Sequence, residues 1–260
     1  MSIHPFPVSR RAIPLGTSPL GLAALGLVAL GLTAAPAQAQ VVFAPNAFAA
    51  ANGGSKATTA PFNNVSRYQQ IYAASQFSAL TSPELITQIA FRPAKGQGAF
   101  THTDTHIQFD LSTTTTAVSS LSSTFAANIG LNDQVVYNSA LTFTSAGSPA
   151  SGAGPFDLVV TLTTPFLYDP SAGNLVLDIR NFDSTFTGFV DGGSDPSTRL
   201  NFVDSSTTAA TGSIQNFGLS TRFTFAPAPV PEASTTVSLG LLLALGMGGM
   251  VMAARKRRKG

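Results

Sequence analysis

The sequence predicts an all-β fold, an antiparallel two-sheet sandwich of jelly-roll-like kind, and three observations carry the prediction. Short runs of alternating apolar and polar residues, separated by clusters of turn formers, fill the middle of the chain. Charged residues make up only 10% of the 260, while Thr, Ser, Ala, Gly and Phe abound, which suits strands and starves helices of their usual surface residues. Between residues 40 and 225 no helix-period run longer than two turns is convincing.

The strands follow in order. Residues 85–91 (LITQIAF) form the first clear run. Phe100 to Leu111 is longer, and period-2 alternation puts Thr105, Ile107, Phe109 and Leu111 on one face and His102, Asp104, His106, Gln108 and Asp110 on the other. Residues 134–144 place Val135, Tyr137, Leu141 and Phe143 on one side; 157–164 and 174–182 follow. Residues 217–225 close the domain with Phe217, Leu219, Phe223 and Phe225 in phase. The phase of the Phe residues matches the faces expected to be buried, so the 19 Phe read as core filling.

Turns are expected at Asn52–Gly54, Gly147–Pro155, Asp169–Asn174 and Asp191–Pro196. Gln69–Leu80 is the best helix candidate and reads equally well as a loop. Ser112–Thr124 is low in complexity and reads as a loop. About 190 residues are enough for one sizeable domain, with no internal repeat.

Cysteine is absent, which excludes a disulfide framework, a thiol nucleophile and a thiolate metal site. The net charge of +2 misleads, because Arg10, Arg11 and five cations beyond residue 254 supply half of the Lys and Arg. Residues 40–229 hold seven Lys and Arg against eleven Asp and Glu, a net −4, so nucleic acid is not an implied partner.

Both ends read as targeting segments. Arg10 and Arg11, then the apolar run Leu20–Leu32, then Ala37-Gln38-Ala39, have the layout of a cleavable signal peptide over residues 1–39, with Gln40 the first mature residue. An uncleaved N-terminal anchor is the alternative. Ala226–Pro231 is a stiff, extended spacer, and residues 226–234 join the domain to the membrane segment. The uncharged run Val237–Ala254, within a transmembrane helix at 235–254, spans roughly 27 Å against a hydrocarbon core of about 30 Å. Arg255, Lys256, Arg257, Arg258 and Lys259, in a tail over 255–260, are a basic stop that holds that end in the cytoplasm. A plain tail anchor and a buried core helix are the other readings of the same residues.

The motif Val230-Pro231-Glu232-Ala233-Ser234, followed by one span and a basic end, resembles the tripartite PEP-CTERM sorting signal of Gram-negative bacteria, with Ala233 where that signal usually has a second proline. The resemblance implies an exosortase as processing partner, transient residence in the inner membrane as a precursor, and delivery to the cell surface or outside the cell. A Gram-positive sortase signal needs LPxTG, which VPEAS lacks, and a glycosylphosphatidylinositol signal ends in its apolar tail. RYQQIY (67–72), ITQIAFRP (86–93) and TTPFLYDPSAGNLVLDIRNF (163–182) are similar to a recurring exported domain of PEP-CTERM proteins, one without an assigned activity.

Chemistry is sparse. His102-x-Asp104-x-His106 has the one metal-like spacing, with adjacent pairs about 6.6 Å apart on a strand and the two histidines about 13 Å apart. The competing reading is the solvent face of an amphipathic strand. Asp191–Asp195 (DGGSD) offers oxygen ligands for calcium, or ordinary turn chemistry. No GxSxG, P-loop, GxGxxG or HExxH occurs, and no cofactor is implied. The expectation is a non-enzymatic surface or extracellular-matrix protein with a structural or adhesive role in exopolysaccharide or biofilm. A carbohydrate-binding module is the alternative, disfavoured by the absence of Trp and only four Tyr, and an extracellular hydrolase stands third.

Overall fold

The computed structural model describes residues 39–53, 56–58, 60–183 and 186–229, with backbone alone at 56–58. The expected signal peptide up to Gln38, the sorting motif Val230–Ser234, the transmembrane segment and the basic tail lie outside the described residues.

Thirteen strands occur among the described residues: β1 (Gln40–Ala44), β2 (Lys56–Thr58), β3 (Ser66–Tyr72), β4 (Glu84–Phe91), β5 (Phe100–Thr114), β6 (Gln134–Ser145), β7 (Leu158–Tyr168), β8 (Asn174–Asn181), β9 (Val190–Gly193), β10 (Thr198–Asp204), β11 (Ser213–Gln215), β12 (Gly218–Leu219) and β13 (Thr221–Pro227). The helical pieces are 3-10 turns of three or four residues, and no described helix is long and apolar enough to cross a membrane.

Every pairing is antiparallel. One sheet has the order β1-β13-β4-β7 and a second β11-β10-β3-β8-β5-β6; a small third, β12-β9-β2, adds to the two-sheet expectation. The all-β sandwich reading therefore holds, with this additional layer.

One apolar cluster fills the space between the two large sheets. It draws Ile86, Ile89 and Phe91 from β4, Phe223 and Phe225 from β13, and Ile107, Phe109 and Leu111 from β5. Tyr72 of β3 meets Phe223 of β13 edge-on at 5.3 Å, and its hydroxyl shares a 2.7 Å hydrogen bond with Thr221. Phe62 packs between Phe91 at 5.4 Å and Phe143 at 5.2 Å. Burying each such side chain contributes about 1.5–3 kcal/mol, and edge-on ring pairs add roughly 0.5–1.5 kcal/mol.

Four expectations change. Gln69–Leu80 is no helix: β3 runs to Tyr72, and a 3-10 turn covers Ala74–Phe77. All seven residues of β3 are buried, because its outer face is covered as well as its inner one, so no alternation was visible. Asp191–Pro196 is a turn only in its second half, since Val190–Gly193 is strand β9. There Gly193 lies against the backbone of Gly53 so closely that a Cβ would collide with the Gly53 carbonyl. In β6 a bulge at Val136 turns Val135 outward, 46% exposed, while Val136 is buried. Ser112–Thr124 is a loop only after Thr114.

Candidate functional site

The three residues of the metal-like motif are not brought together. Between Asp104, which pairs with Leu141, and Ile107, which pairs with Ser139, strand β5 carries a bulge. An inserted residue shifts the alternation by one, so His102 and Asp104 share the inner face with Ile107 while His106 turns out. His102 Nε2 lies 3.0 Å from Asp104 Oδ1, and Asn181 Nδ2 donates to the same oxygen at 3.2 Å. His106 stacks on Phe182, centroids 4.2 Å apart, and its Nε2 lies 2.8 Å from Asn138 Oδ1. Burial pushes the Asp104 carboxyl up from its ordinary value, and the His102 hydrogen bond opposes that. Among the described residues no three His, Asp or Glu side chains are placed to hold one metal ion.

The DGGSD segment is committed to structure. Asp191 is buried and accepts hydrogen bonds from the Gly53 N–H at 3.0 Å and the Ser220 hydroxyl at 2.7 Å. Arg92 Nη1 stands 3.7 Å from Asp191, and the buried guanidinium also donates to the carbonyls of Phe48 and Ala51, both at 2.7 Å, while covering the Phe156 ring at 4.2 Å. Asp195, four residues on, accepts the Ser197 N–H at 2.9 Å and caps its own turn. The two carboxylates serve separate structural tasks.

Sequence reasoning missed the most elaborate polar constellation. On the outer face of the six-stranded sheet, β3 presents Arg67 and Gln69, β8 presents Asp178 and Arg180, and β5 presents Gln108 and Asp110. Arg67 grips Asp178 with two donors, Nη2 to Oδ2 at 2.7 Å and Nε to Oδ1 at 3.1 Å. Gln69 donates to Asp178 at 3.0 Å and accepts from Asn128 at 2.7 Å. Asn128 Nδ2 also donates to the Ser122 carbonyl at 2.8 Å, and the Arg67 guanidinium lies 4.5 Å over the Phe125 ring. Segment 118–129 is thereby fastened over the sheet.

Asp110 sits at the rim of that layer. It is 3% exposed and accepts both oxygens' bonds from Gln108 at 2.9 Å, with Arg180 Nη2 at 3.9 Å. Burial pushes its carboxyl up to about 6; Gln108 and Arg180 pull it down, and the negative Asp178 and Asp133 push it further up. Arg67, Gln69 and Asn128 spend their donors on protein acceptors, whereas Arg180 Nε is buried without one. Arg67 and Gln69 stand two apart on β3, but with both faces of that strand covered no alternation marks them in the sequence.

The domain's two ends meet. Gln40 opens β1 opposite Phe225 of β13, and β13 ends at Pro227. Ala39 and Gln40, the described part of the expected cleavage site, lie at the start of the first described strand. Comparison with known protein families and with curated proteins finds no match.

Proposed function

We propose that the chain is an exported surface or extracellular-matrix protein of a Gram-negative bacterium, sorted through its C-terminal signal by an exosortase and without enzymatic activity. Its role is structural or adhesive, in an exopolysaccharide or biofilm setting, with the inner membrane only a station for the precursor. The observation that carries the reading is the order of parts from Val230: a Pro-Glu motif, an uncharged run of membrane length and five consecutive cations. The pairing of Gln40 with Phe225 supports it, since strand β1 begins at the residue expected to follow signal cleavage, and both ends leave the domain together.

We read the sandwich as a jelly roll. The order β1-β13-β4-β7 in one sheet faces β3-β8-β5-β6 within the other, as two Greek keys rolled together would give, with β10 and β11 added beyond β3.

The test is fractionation of cells that express the natural chain and a Pro231→Ala, Glu232→Ala variant. The reading expects the variant to stay unprocessed in the inner membrane while the natural chain reaches the surface. Identical size and location of both products would leave a plain tail anchor instead.

A further inference from the structure

A cleft of about 390 Å³ opens where the covering segment 118–129 meets the β9–β10 turn, within the roughly 300–1,000 Å³ of ligand clefts. Its floor carries Arg199 of β10, and the guanidinium is held in place from two sides. Nε donates to Asn216 Oδ1 at 2.7 Å and Nη1 to the Ser119 carbonyl at 2.6 Å, which leaves Nη2 with no bonded acceptor among the described residues. Arg199 is half-buried, and no salt bridge neutralises it among the described residues.

The other described arginines are differently placed. Arg67 and Arg92 are buried against carboxylates, Arg180 faces Asp110, and Arg222 lies on β13, outside the lining of the cleft. Arg199 is thus a fixed cation facing an open cleft in a domain of net −4.

The walls add the rest of the chemistry. Val118 and Pro196 supply apolar surfaces, and Ser119, Ser194 and Asn216 supply hydroxyl and amide groups. Thr198 contributes no free donor, because its hydroxyl donates inward to the Ile71 carbonyl at 2.9 Å. Asp195 also lines the cleft; its Oδ1 is already taken by the Ser197 N–H at 2.9 Å. We propose that this cleft binds an acidic sugar residue of a polysaccharide, its carboxylate on Arg199, its C–H face on Val118 and Pro196, and its hydroxyls on Ser194 and Asn216. A guanidinium presents donors in the plane that a carboxylate needs, and pre-ordering by Asn216 and Ser119 lowers the entropic cost of holding it. The carboxylate half of the proposal stands on the cleft alone; the saccharide half rests on the extracellular-matrix reading above.

Calorimetric titration of the full-length chain in detergent at low salt tests it, with trigalacturonate, neutral galactotriose and acetate as probes. Trigalacturonate should bind about tenfold or more tightly than either of the others. Arg199→Gln and the cleft-filling Ser194→Phe should each weaken it about tenfold. Ser194→Phe leaves the Ser119 and Asn216 contacts of Arg199 in place, so its effect is separable from any loosening of segment 118–129, which a melting curve reads. Equal binding of trigalacturonate and galactotriose overturns the Arg199 role. Acetate as tight as trigalacturonate overturns the saccharide. No measurable binding, or unchanged affinity in both variants, overturns the site. None of these results depends on processing at Val230–Ser234, so they separate from a failure of the sorting reading.

Discussion

Gln40 and Phe225 stand opposite each other in antiparallel register, the first residue of the first strand against the last strand, near its end. Among the described residues strand β1 pairs with β13 alone, at the edge of its sheet, so the first described strand is closed by the last. Removing residues 40–44 would expose one side of β13 and uncover Phe223 and Phe225. A chain begun at Phe48 should therefore aggregate on expression while one begun at Gln40 stays dispersed, as size-exclusion chromatography would read.

The fork between Arg67 and Asp178 is the centre of the buried polar layer. Removing one partner leaves an uncompensated buried charge, so Arg67→Ala should cost about 3–5 kcal/mol in urea unfolding of residues 40–229. A loss below about 1 kcal/mol would mean that water reaches Asp178 and the covering segment is not closed.

Stability should fall as pH rises. The Asp110 carboxyl is pushed up to about 6 by burial, above its ordinary 3.8, so the folded state holds a proton that the unfolded chain has released. The contribution is full below pH 3.8 and is lost as pH rises through about 6, on the order of 2 kcal/mol. Asp104, Asp133 and Asp191 are also raised by burial and act in the same direction. Thermal melts from pH 4 to pH 8 should drop in Tm, and Asp110→Asn should flatten the profile between pH 5 and pH 7. A Tm that climbs over that range contradicts the burial of these carboxyls.

Phe62 touches rings from three directions, Phe91, Phe143 and Phe186, and is fully buried. Phe62→Ala should cost roughly 3–5 kcal/mol, and Phe62→Leu less than half of that. Equal losses for both would mean that the ring geometry, not the filled volume, is what matters there.

Gly193 has no room for a side chain against Gly53. Gly193→Val should destabilise by about 1–3 kcal/mol or more, read as a lower urea midpoint, whereas Gly152→Ala, with open space around it and a strained positive φ of 79°, should lose only about 1 kcal/mol.

Strands with one wet face were legible in the sequence. β7 and the Phe223–Phe225 stretch of β13 alternate because one face is buried and the other is not. β3 and β10 were missed because segment 118–129 and its neighbours cover their outer faces, which erases the period. The bulges in β5 and β6 broke the phase at His106 and Val135, and a bulge depends on the partner strand's register, which a single strand does not carry. Of the candidate sites, the His102–Asp104 contact follows from spacing two on one strand, whereas the Arg67–Asp178 fork joins residues 111 apart and needs the sheet order first.

The central claim is that the apolar C-terminal run is a transient handle, and the mass of the protein recovered from the outer surface or the medium tests it most directly. The account predicts a chain that starts at Gln40 and ends near Val230–Ser234, without the apolar run and the five cations. A surface-exposed product that still carries Arg255 to Gly260 would contradict it.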